Sequence, residues 1–163
     1  MNLIETYLTY LNEFSKVTRL LRISPRDLDG QVITPFIPDN ILIKVGVEDG
    51  KILRVPFCPT IDQCLLAMGT SKVQKYIGKI LYVHEPSKSR LKIVENEELV
   101  RKKLVPDADI TGEVWVINPV KLRLVNKIRI TSREARYEDI KWGDKPNEFI
   151  RNYYWKYELI EGI

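Results

Sequence analysis

The sequence contains few of the residues that build metal sites and disulfide frameworks. Its 163 residues include two cysteines, Cys58 and Cys64, and one histidine, His84. A tetrahedral zinc site needs four such ligands at close spacing, so no metal site is predicted. A Cys58–Cys64 disulfide is conceivable, but intracellular thiols are normally reduced. We therefore expect both cysteines to be small, buried, apolar residues.

Glycine and long apolar runs are also scarce. The eight glycines are dispersed along the chain, so neither a phosphate-binding loop nor a dinucleotide fingerprint is present, and we predict no cofactor. No apolar run approaches the roughly 20 residues that span a bilayer. Residues 1–5 carry an acid and no basic flank, unlike a secretory signal. These absences predict a cytoplasmic protein without membrane contact.

The composition is that of a folded protein with a modest basic excess. Apolar residues make up 44% and charged residues 29%, typical of a globular chain. The net charge of +4 and pI of about 9.0 permit a polyanionic partner without requiring one. Abundant Ile, Val, Lys, Arg and Glu with little Gln or His resemble heat-adapted proteins, which suggests a thermophilic, archaeal or viral source.

The chain divides into residues 1–40, an N-terminal helix with a Pro-rich linker, and residues 41–163, an α+β domain. Apolar residues recur at helical spacing over residues 2–22. The polar face of this helix is mixed in charge, which favours packing on the domain, on a second copy or on a partner protein. Residues 24–40 contain three prolines and a glycine, typical of a linker.

The α+β domain is predicted to contain a mixed or antiparallel sheet that curls into a partial barrel with short flanking helices. Thr60 and Gln63 form a capping box for a helix that ends at Gly69. Thr131 and Glu134 suggest a second such helix, to about residue 140. The other predicted elements are a hairpin over 41–57, a strand pair 79–84 with 90–94, a helix over 95–104, strands 112–117, 120–130 and 153–160, and a helical turn over 147–152.

The strand over residues 120–130 is the strongest functional signal. Its even positions are mostly apolar, whereas its odd positions carry Lys121, Arg123, Lys127 and Arg129. Strict alternation would place these four cations on one face. Arg90 and Lys92 repeat the pattern on a shorter strand, and Lys156 does so on the last. Adjoining strands would form a basic face for nucleic-acid phosphates, although a solvated face with paired acids is equally compatible with the pattern.

Aromatic residues near the C-terminus add candidate stacking groups. Tyr153, Trp155 and Tyr157 share one strand face, which is typical of core residues. Tyr154 and Lys156 point the other way and are better placed to bind a ligand. Trp142 falls in a predicted loop, where an exposed ring is a binding candidate.

Catalytic patterns are weaker, and the sequence favours a binding protein over an enzyme. Asp107 and Glu113 faintly match the carboxylates of a metal-dependent nuclease, but Trp115 stands where such a site usually has a lysine. His84, followed by Glu85, could act as a base, yet no nucleophile stands beside it in the sequence.

Several segments from residue 53 onward resemble a PUA-like domain of the ASCH or EVE kind. Val55-Pro56-Phe57 leads into a helix that ends at Leu66-Ala67-Met68-Gly69, and Lys72, Lys75 and Tyr76 precede the strand from Ile77 to Val83. Two further segments complete the order of elements found in such a domain: Thr111-Gly112-Glu113-Val114-Trp115-Val116 and the terminal Tyr154-Trp155-Lys156-Tyr157. The resemblance implies a small β-barrel that binds RNA or modified nucleotides beside that helix, with Lys72 and Lys75 lining the cleft. Some members of this family are hydrolases or nucleases.

Three functions therefore remain open. The leading hypothesis is a nucleic-acid-binding module that prefers RNA or single strands to duplex DNA. The alternatives are a nucleic-acid-directed hydrolase or nuclease, and a non-enzymatic interaction or inhibitor protein that uses the N-terminal helix.

Overall fold

The computed structural model describes residues 19–87, 90–139 and 149–160, which form an α+β fold with antiparallel sheets. The strands are β1 Arg22–Ser24, β2 Val32–Ile33, β3 Val55–Phe57, β4 Ile80–Pro86, β5 Ile93–Val94, β6 Val114–Val116, β7 Val120–Asp139 and β8 Phe149–Ile160. The helices are α1 Ile41–Lys44, α2 Ile61–Met68, α3 Thr70–Gln74, α4 Asn96–Arg101 and α5 Ala108–Thr111.

The strands form two separate sheets. The larger one has the order β1-β4-β7-β2, and β8 also pairs with β7. The smaller one has the order β3-β6-β5. Neither sheet closes on itself within the described ranges, so the predicted partial barrel is not observed, whereas the predicted α+β class with antiparallel pairing is.

A bulge at Val125 divides the long strand β7 into two halves. Val83 pairs with Asn126 and His84 pairs with Leu124, so Val125 has no opposite residue on β4. An extra residue in one strand shifts the alternation of its side chains relative to the partner. The apolar even positions on the two sides of the bulge therefore point to opposite faces of the sheet.

Two hydrophobic clusters cover these opposite faces. Ile128 and Ile130, beyond the bulge, pack with Cys64 and Leu65 of α2 and with Trp155 of β8. Before the bulge, Val120 and Leu122 belong to a second cluster. The other buried members of that cluster are Leu20, Val55, Phe57, Val114 and Val116, mostly from the smaller sheet. In each half of β7, therefore, one face of the strand packs against a core cluster and the other face does not.

The predicted helix after Thr60 is confirmed. The Thr60 hydroxyl accepts a hydrogen bond from the backbone N–H of Gln63 at 3.1 Å, and α2 ends before Gly69. Cys64 and Leu65 are buried on its inner side. The predicted helix at 95–104 and strand at 112–117 also form, over the shorter ranges of α4 and β6.

The predicted hairpin over residues 41–57 is wrong. The side chain of Asn40 accepts from the N–H of Ile43 and begins α1, and the Asp49 carboxylate accepts from the N–H groups of Lys51 and Ile52. These local bonds satisfy backbone groups that a hairpin would have paired between strands. The returning strand is confined to β3.

Long-range pairing also overturns the predicted partners and ends of other strands. β4 pairs with β1 and β7, and β5 pairs with β6 in the other sheet, so the predicted strand pair 79–84 with 90–94 does not form. The predicted helix from Thr131 is instead the continuation of β7, and the Thr131 hydroxyl donates to the Lys156 carbonyl at 3.0 Å. Residues 149–152 belong to β8 and form no helical turn.

The predicted N-terminal helix falls mostly on residues 1–18, outside the described ranges. Its expected last turn is not helical, because Leu21 bridges to Cys58 and Arg22 begins β1. The linker-like stretch over 24–40 contributes β2 to the larger sheet.

Candidate functional site: a polar cleft beside helix α2

A cleft of about 430 Å³ lies next to α2. Its walls come from β1, from β3, from the C-terminal end of α2 and from the stretch of chain that precedes α1. Its apolar lining includes Phe36, Phe57 and Met68. Its polar lining includes Arg22, Asn40, Glu48, Lys72, Tyr76 and Glu113. An apolar cavity with a few converging polar groups is the usual form of a ligand site.

A fully buried arginine organises the polar side of this cleft. The guanidinium of Arg54 donates to Glu48 at 2.9 Å, to Asp49 at 3.3 Å and to the carbonyl of Ile52 at 2.9 Å. It also stacks on the ring of Trp115. Such pairing is what allows a charge to remain buried. Arg54 thereby holds Glu48 at the cleft wall, where Asn40 donates to the same carboxylate oxygen at 3.1 Å.

Glu113 is the titratable group with the clearest functional character. Its Oε1 atom accepts from the indole N–H of Trp115 at 2.8 Å, and its side chain lines the cleft although the residue is only 8% exposed. Burial raises the pKa of Glu113 to about 7, against the Trp115 hydrogen bond, and the nearby carboxyl groups of Glu48 and Asp107 add to the rise. The carboxyl group therefore changes charge near neutral pH. Burial also raises the pKa of Asp107.

Arg22 and His84 fix the opposite wall. Arg22 donates to the carbonyl of Pro56 at 3.1 Å and lies over the ring of Phe36, 5.5 Å from its centre. His84 pairs with Arg22 across the sheet, and its Nε2 accepts from the N–H of Leu28 at 2.9 Å. Burial lowers the pKa of His84, so the imidazole is neutral at pH 7 and can accept this bond. His84 thus serves as a positioning residue for the backbone at Leu28.

The predicted cations fall into separate groups. Lys72 lines the cleft, whereas Lys75, at the end of α3, is exposed outside it. Arg90 and Lys92 are exposed beside the smaller sheet, where Asn118 bonds to both of their backbones. This segment is not paired with β7, although Leu91 packs against the cluster that contains Val120 and Leu122, so the predicted continuous basic face across adjacent strands of one sheet does not form.

The second half of β7 forms a surface that we call the Lys127 face. Ser24 pairs with Tyr82, and Tyr82 pairs with Lys127, so their side chains share one face, and the Lys127 ammonium lies 6.0 Å from the Tyr82 ring centre. By the same register the Lys127 face consists of Ser24, Ile80, Tyr82, Lys127, Arg129, Lys156, Glu158 and Ile160. Arg129 forms an ion pair of 2.8 Å with Glu158. Ser24 also lines the cleft, so this face continues into it.

Lys121 and Arg123 point to the opposite side of the sheet. Arg123 pairs with Glu85 on β4 and forms an ion pair with its carboxylate. Because Glu85 and Tyr82 are three residues apart on β4, their side chains face opposite ways. The prediction that all four cations of β7 share one face is therefore wrong, and the Val125 bulge is the cause.

The remaining predicted residues have different outcomes. Trp155 is buried and Tyr157 packs against the same cluster, as predicted for a core face. Tyr154 lies on β8 opposite Glu134. Trp142 lies outside the described residues.

Both cysteines are buried free thiols, as expected. A hydrogen bond with Cys64 and burial together raise the pKa of the Cys58 thiol, so it stays protonated and unreactive. Among the residues that the structure describes, no group of three or more His, Cys, Asp or Glu side chains is arranged to hold a metal ion. No helix in the described ranges is long and apolar enough to cross a bilayer.

We did not predict a functional role for Arg22, Phe36, Glu48 or Arg54 from the sequence. One signal was available, because Arg22 and Arg54 are lone cations beside apolar residues in strand-like segments, Leu20-Leu21-Arg22-Ile23 and Ile52-Leu53-Arg54-Val55. A cation within such a segment indicates a buried, paired charge or a ligand contact.

Comparison with known proteins gives no relative: no protein-family model, curated protein or solved structure matches this chain.

Proposed function

We propose that this protein binds single-stranded nucleic acid, RNA in preference to duplex DNA, through the cleft and the adjoining Lys127 face. The observation that carries the proposal is the row Ser24–Tyr82–Lys127, which joins the cleft edge to a basic, aromatic-containing strip of the sheet. Proteins that bind single strands combine cations for the backbone with aromatic or apolar surfaces for unstacked bases.

The cleft suits one unstacked base. Its volume of about 430 Å³ lies in the range of small-molecule sites. The ring of Tyr76 and the face of Phe36 that Arg22 does not cover supply flat surfaces, and the polar groups at the cleft walls can bond to a base edge. A base in a duplex is stacked and paired, so the cleft favours a single strand.

Cations near the cleft supply contacts for phosphates. Lys72 is exposed at the cleft, and Lys127, Arg129 and Lys156 follow on the adjoining face. A phosphate that reaches Arg129 must compete with Glu158, and this competition lowers the gain in binding free energy at that position. Lys127 and Lys156 are therefore expected to contribute more than Arg129.

The resemblance to PUA-like domains agrees with this proposal in the position of the cleft beside a helix. Under that resemblance Lys72 and Lys75 are both cleft-lining cations; Lys72 lines the cleft described above, whereas Lys75 lies outside it. We extend the proposal to a PUA-like mode of binding, in which the helix α2 flanks the bound nucleotide.

The test is fluorescence anisotropy with labelled single-stranded RNA, single-stranded DNA and duplex DNA at two salt concentrations. We expect binding that is tightest for a single strand and that weakens with salt. Lys72→Gln should weaken binding, whereas Lys51→Gln, an exposed lysine away from the cleft lining, should not. Absence of binding to all three probes at low salt would exclude the proposal.

Hydrolysis of a nucleic acid is the second candidate, and Glu113 is the observation that favours it. A cleft carboxyl group with a pKa of about 7 can act as a general acid or base at neutral pH. The test is to incubate the protein with labelled RNA and compare it with Asp107→Ala and Glu113→Ala variants. Cleavage that both variants retain in full would rule out this role for the two carboxyl groups.

A further inference from the structure

The lining of the cleft contains both hydrogen-bond acceptors and donors, and their arrangement narrows the choice of base. Glu113 and Glu48, the latter already bonded to Arg54 and Asn40, line the cleft together with the cationic residues Arg22 and Lys72. A cationic ligand would meet two positive side chains, and an anionic one would meet two carboxyl groups. The best match is a neutral ring with N–H donors on one edge and acceptors on another.

The Trp115 hydrogen bond fixes how Glu113 can meet such a ring. It engages Oε1, one of the two carboxyl oxygens, and holds the side chain in place at the cleft wall. A carboxylate can accept two parallel bonds from adjacent donors, which adds geometric specificity to the contact.

Among the four RNA bases, guanine alone offers two adjacent donors on its pairing edge, N1–H and the N2 amino group, with acceptors O6 and N7 beyond them. Cytosine and adenine present one amino group beside an acceptor, and uracil presents one N–H between two acceptors. A carboxylate placed against those edges would meet an acceptor, which is repulsive.

We propose that the cleft selects guanine, with Glu113 accepting from its N1 and N2 donors and Arg22 and Lys72 bonding to its acceptor edge. This selectivity rests on the proposed binding of single-stranded nucleic acid. It makes Glu113 the specificity-determining residue.

The charge of Glu113 makes the selectivity depend on pH. The ionised carboxylate accepts two bonds, whereas the protonated carboxyl donates one and accepts one, a pattern that matches adenine or cytosine. Because the pKa of Glu113 is about 7, the preference for guanine should increase as the pH rises through neutrality. The titratable and charged groups that influence or are influenced by this carboxyl are Glu48, Asp107, Arg54, Arg22 and Cys58.

The experiment uses the full chain and short labelled oligouridylates that carry one central guanosine, adenosine, cytidine or inosine. Inosine keeps N1–H but lacks the 2-amino group. At about pH 8 we expect the guanosine probe to bind on the order of 10-fold more tightly than the others. At about pH 6 the preference should shrink.

Variants separate the cleft from the rest of the surface. Glu113→Gln should remove both the guanosine preference and its pH dependence, because an amide places one acceptor atom beside one donor group and so cannot accept two parallel bonds from N1–H and the 2-amino group. Glu97→Gln removes one exposed acid from α4 and should preserve both. The pH profile of the unaltered protein tests the inference even if Glu113→Gln does not fold.

The outcomes separate this inference from the proposed function. Equal binding of all four oligonucleotides overturns guanine selection and leaves nucleic-acid binding standing. Binding of guanosine monophosphate without binding of any oligonucleotide supports the guanine site and overturns the nucleic-acid proposal. Failure of every probe to bind overturns both.

Discussion

The guanidinium carbon of Arg54 lies 4.1 Å from the centre of the Trp115 ring, so a fully buried cation rests on the side chain that positions Glu113. Trp115 connects them, since its ring contacts Arg54 and its N–H bonds to Glu113. The stability of the fold and the geometry of the cleft therefore depend on the same three residues.

Replacement of Arg54 should destabilise the protein strongly. Arg54→Met leaves the carboxylates of Glu48 and Asp49 without their cationic partner, and breaking a buried pair from one side costs about 3–5 kcal/mol. Urea denaturation followed by tryptophan fluorescence measures the free energy of unfolding. A loss below about 1 kcal/mol, comparable to that of a surface pair, would show that Arg54 does not support the cluster.

Replacement of Glu113 should change how stability depends on pH. The pKa of Glu113 in the folded protein is about 7, above the ordinary value of 4.5. Its contribution to the free energy of unfolding is therefore fully present below about pH 4.5 and is lost as the pH rises through about 7. Glu113→Gln removes this loss and retains an acceptor for Trp115. Relative to that of the unaltered protein, the free energy of unfolding of the variant should increase by up to about 3 kcal/mol between pH 5 and pH 8. Unfolding curves at both pH values, with Glu97→Gln as the control, measure the difference.

His84 should make the protein sensitive to acid. Its pKa is lowered by burial, so the stabilising contribution of the neutral ring is present above the ordinary value of 6.5 and is lost as the pH falls below it. His84→Phe removes the acceptor for the Leu28 N–H, which should cost about 1–3 kcal/mol at pH 8. The variant should also lose less stability than the unaltered protein between pH 7 and pH 5. If the free energies of unfolding of the variant and of the unaltered protein changed with pH in parallel, this role of His84 would be contradicted.

The bulge at Val125 predicts that the two basic pairs of β7 contribute unequally to nucleic-acid binding. Lys127→Glu with Arg129→Glu should weaken binding and reduce its salt dependence by about one unit of slope per lost phosphate contact. Lys121→Glu with Arg123→Glu changes the net charge equally on the opposite face and should have the smaller effect. Titrations at several salt concentrations make the comparison. An equal loss in both double variants would mean that affinity follows net charge and not the Lys127 face.

Sequence reasoning succeeded where a few neighbouring residues determine the structure. The Thr60 and Gln63 pair predicted the start of α2, and the alternation around Trp155 predicted which side of β8 enters the core. It failed at residues 41–57, where the caps from Asn40 and Asp49 outweigh apolar alternation. It failed again at Thr131, because pairing with β8 overrides a local helix signal.

The candidate site was predicted only in fragments. Lys72 and Glu113 were identified for different reasons, and nothing in the sequence indicated that they share a cleft with Arg22. These residues are far apart along the chain, and their meeting depends on which strands pair.

By itself the sequence determined the α+β class, the cap of α2 and the alternation of apolar and basic residues along β7, because each depends on short-range hydrogen bonding or on the two-residue period of a strand. Only the tertiary structure decided which cations share a face and which polar groups meet in the cleft. The physical reason is register: the position of Val125 opposite β4 is set by pairing between distant strands, and this one unpaired residue shifts the alternation relative to β4.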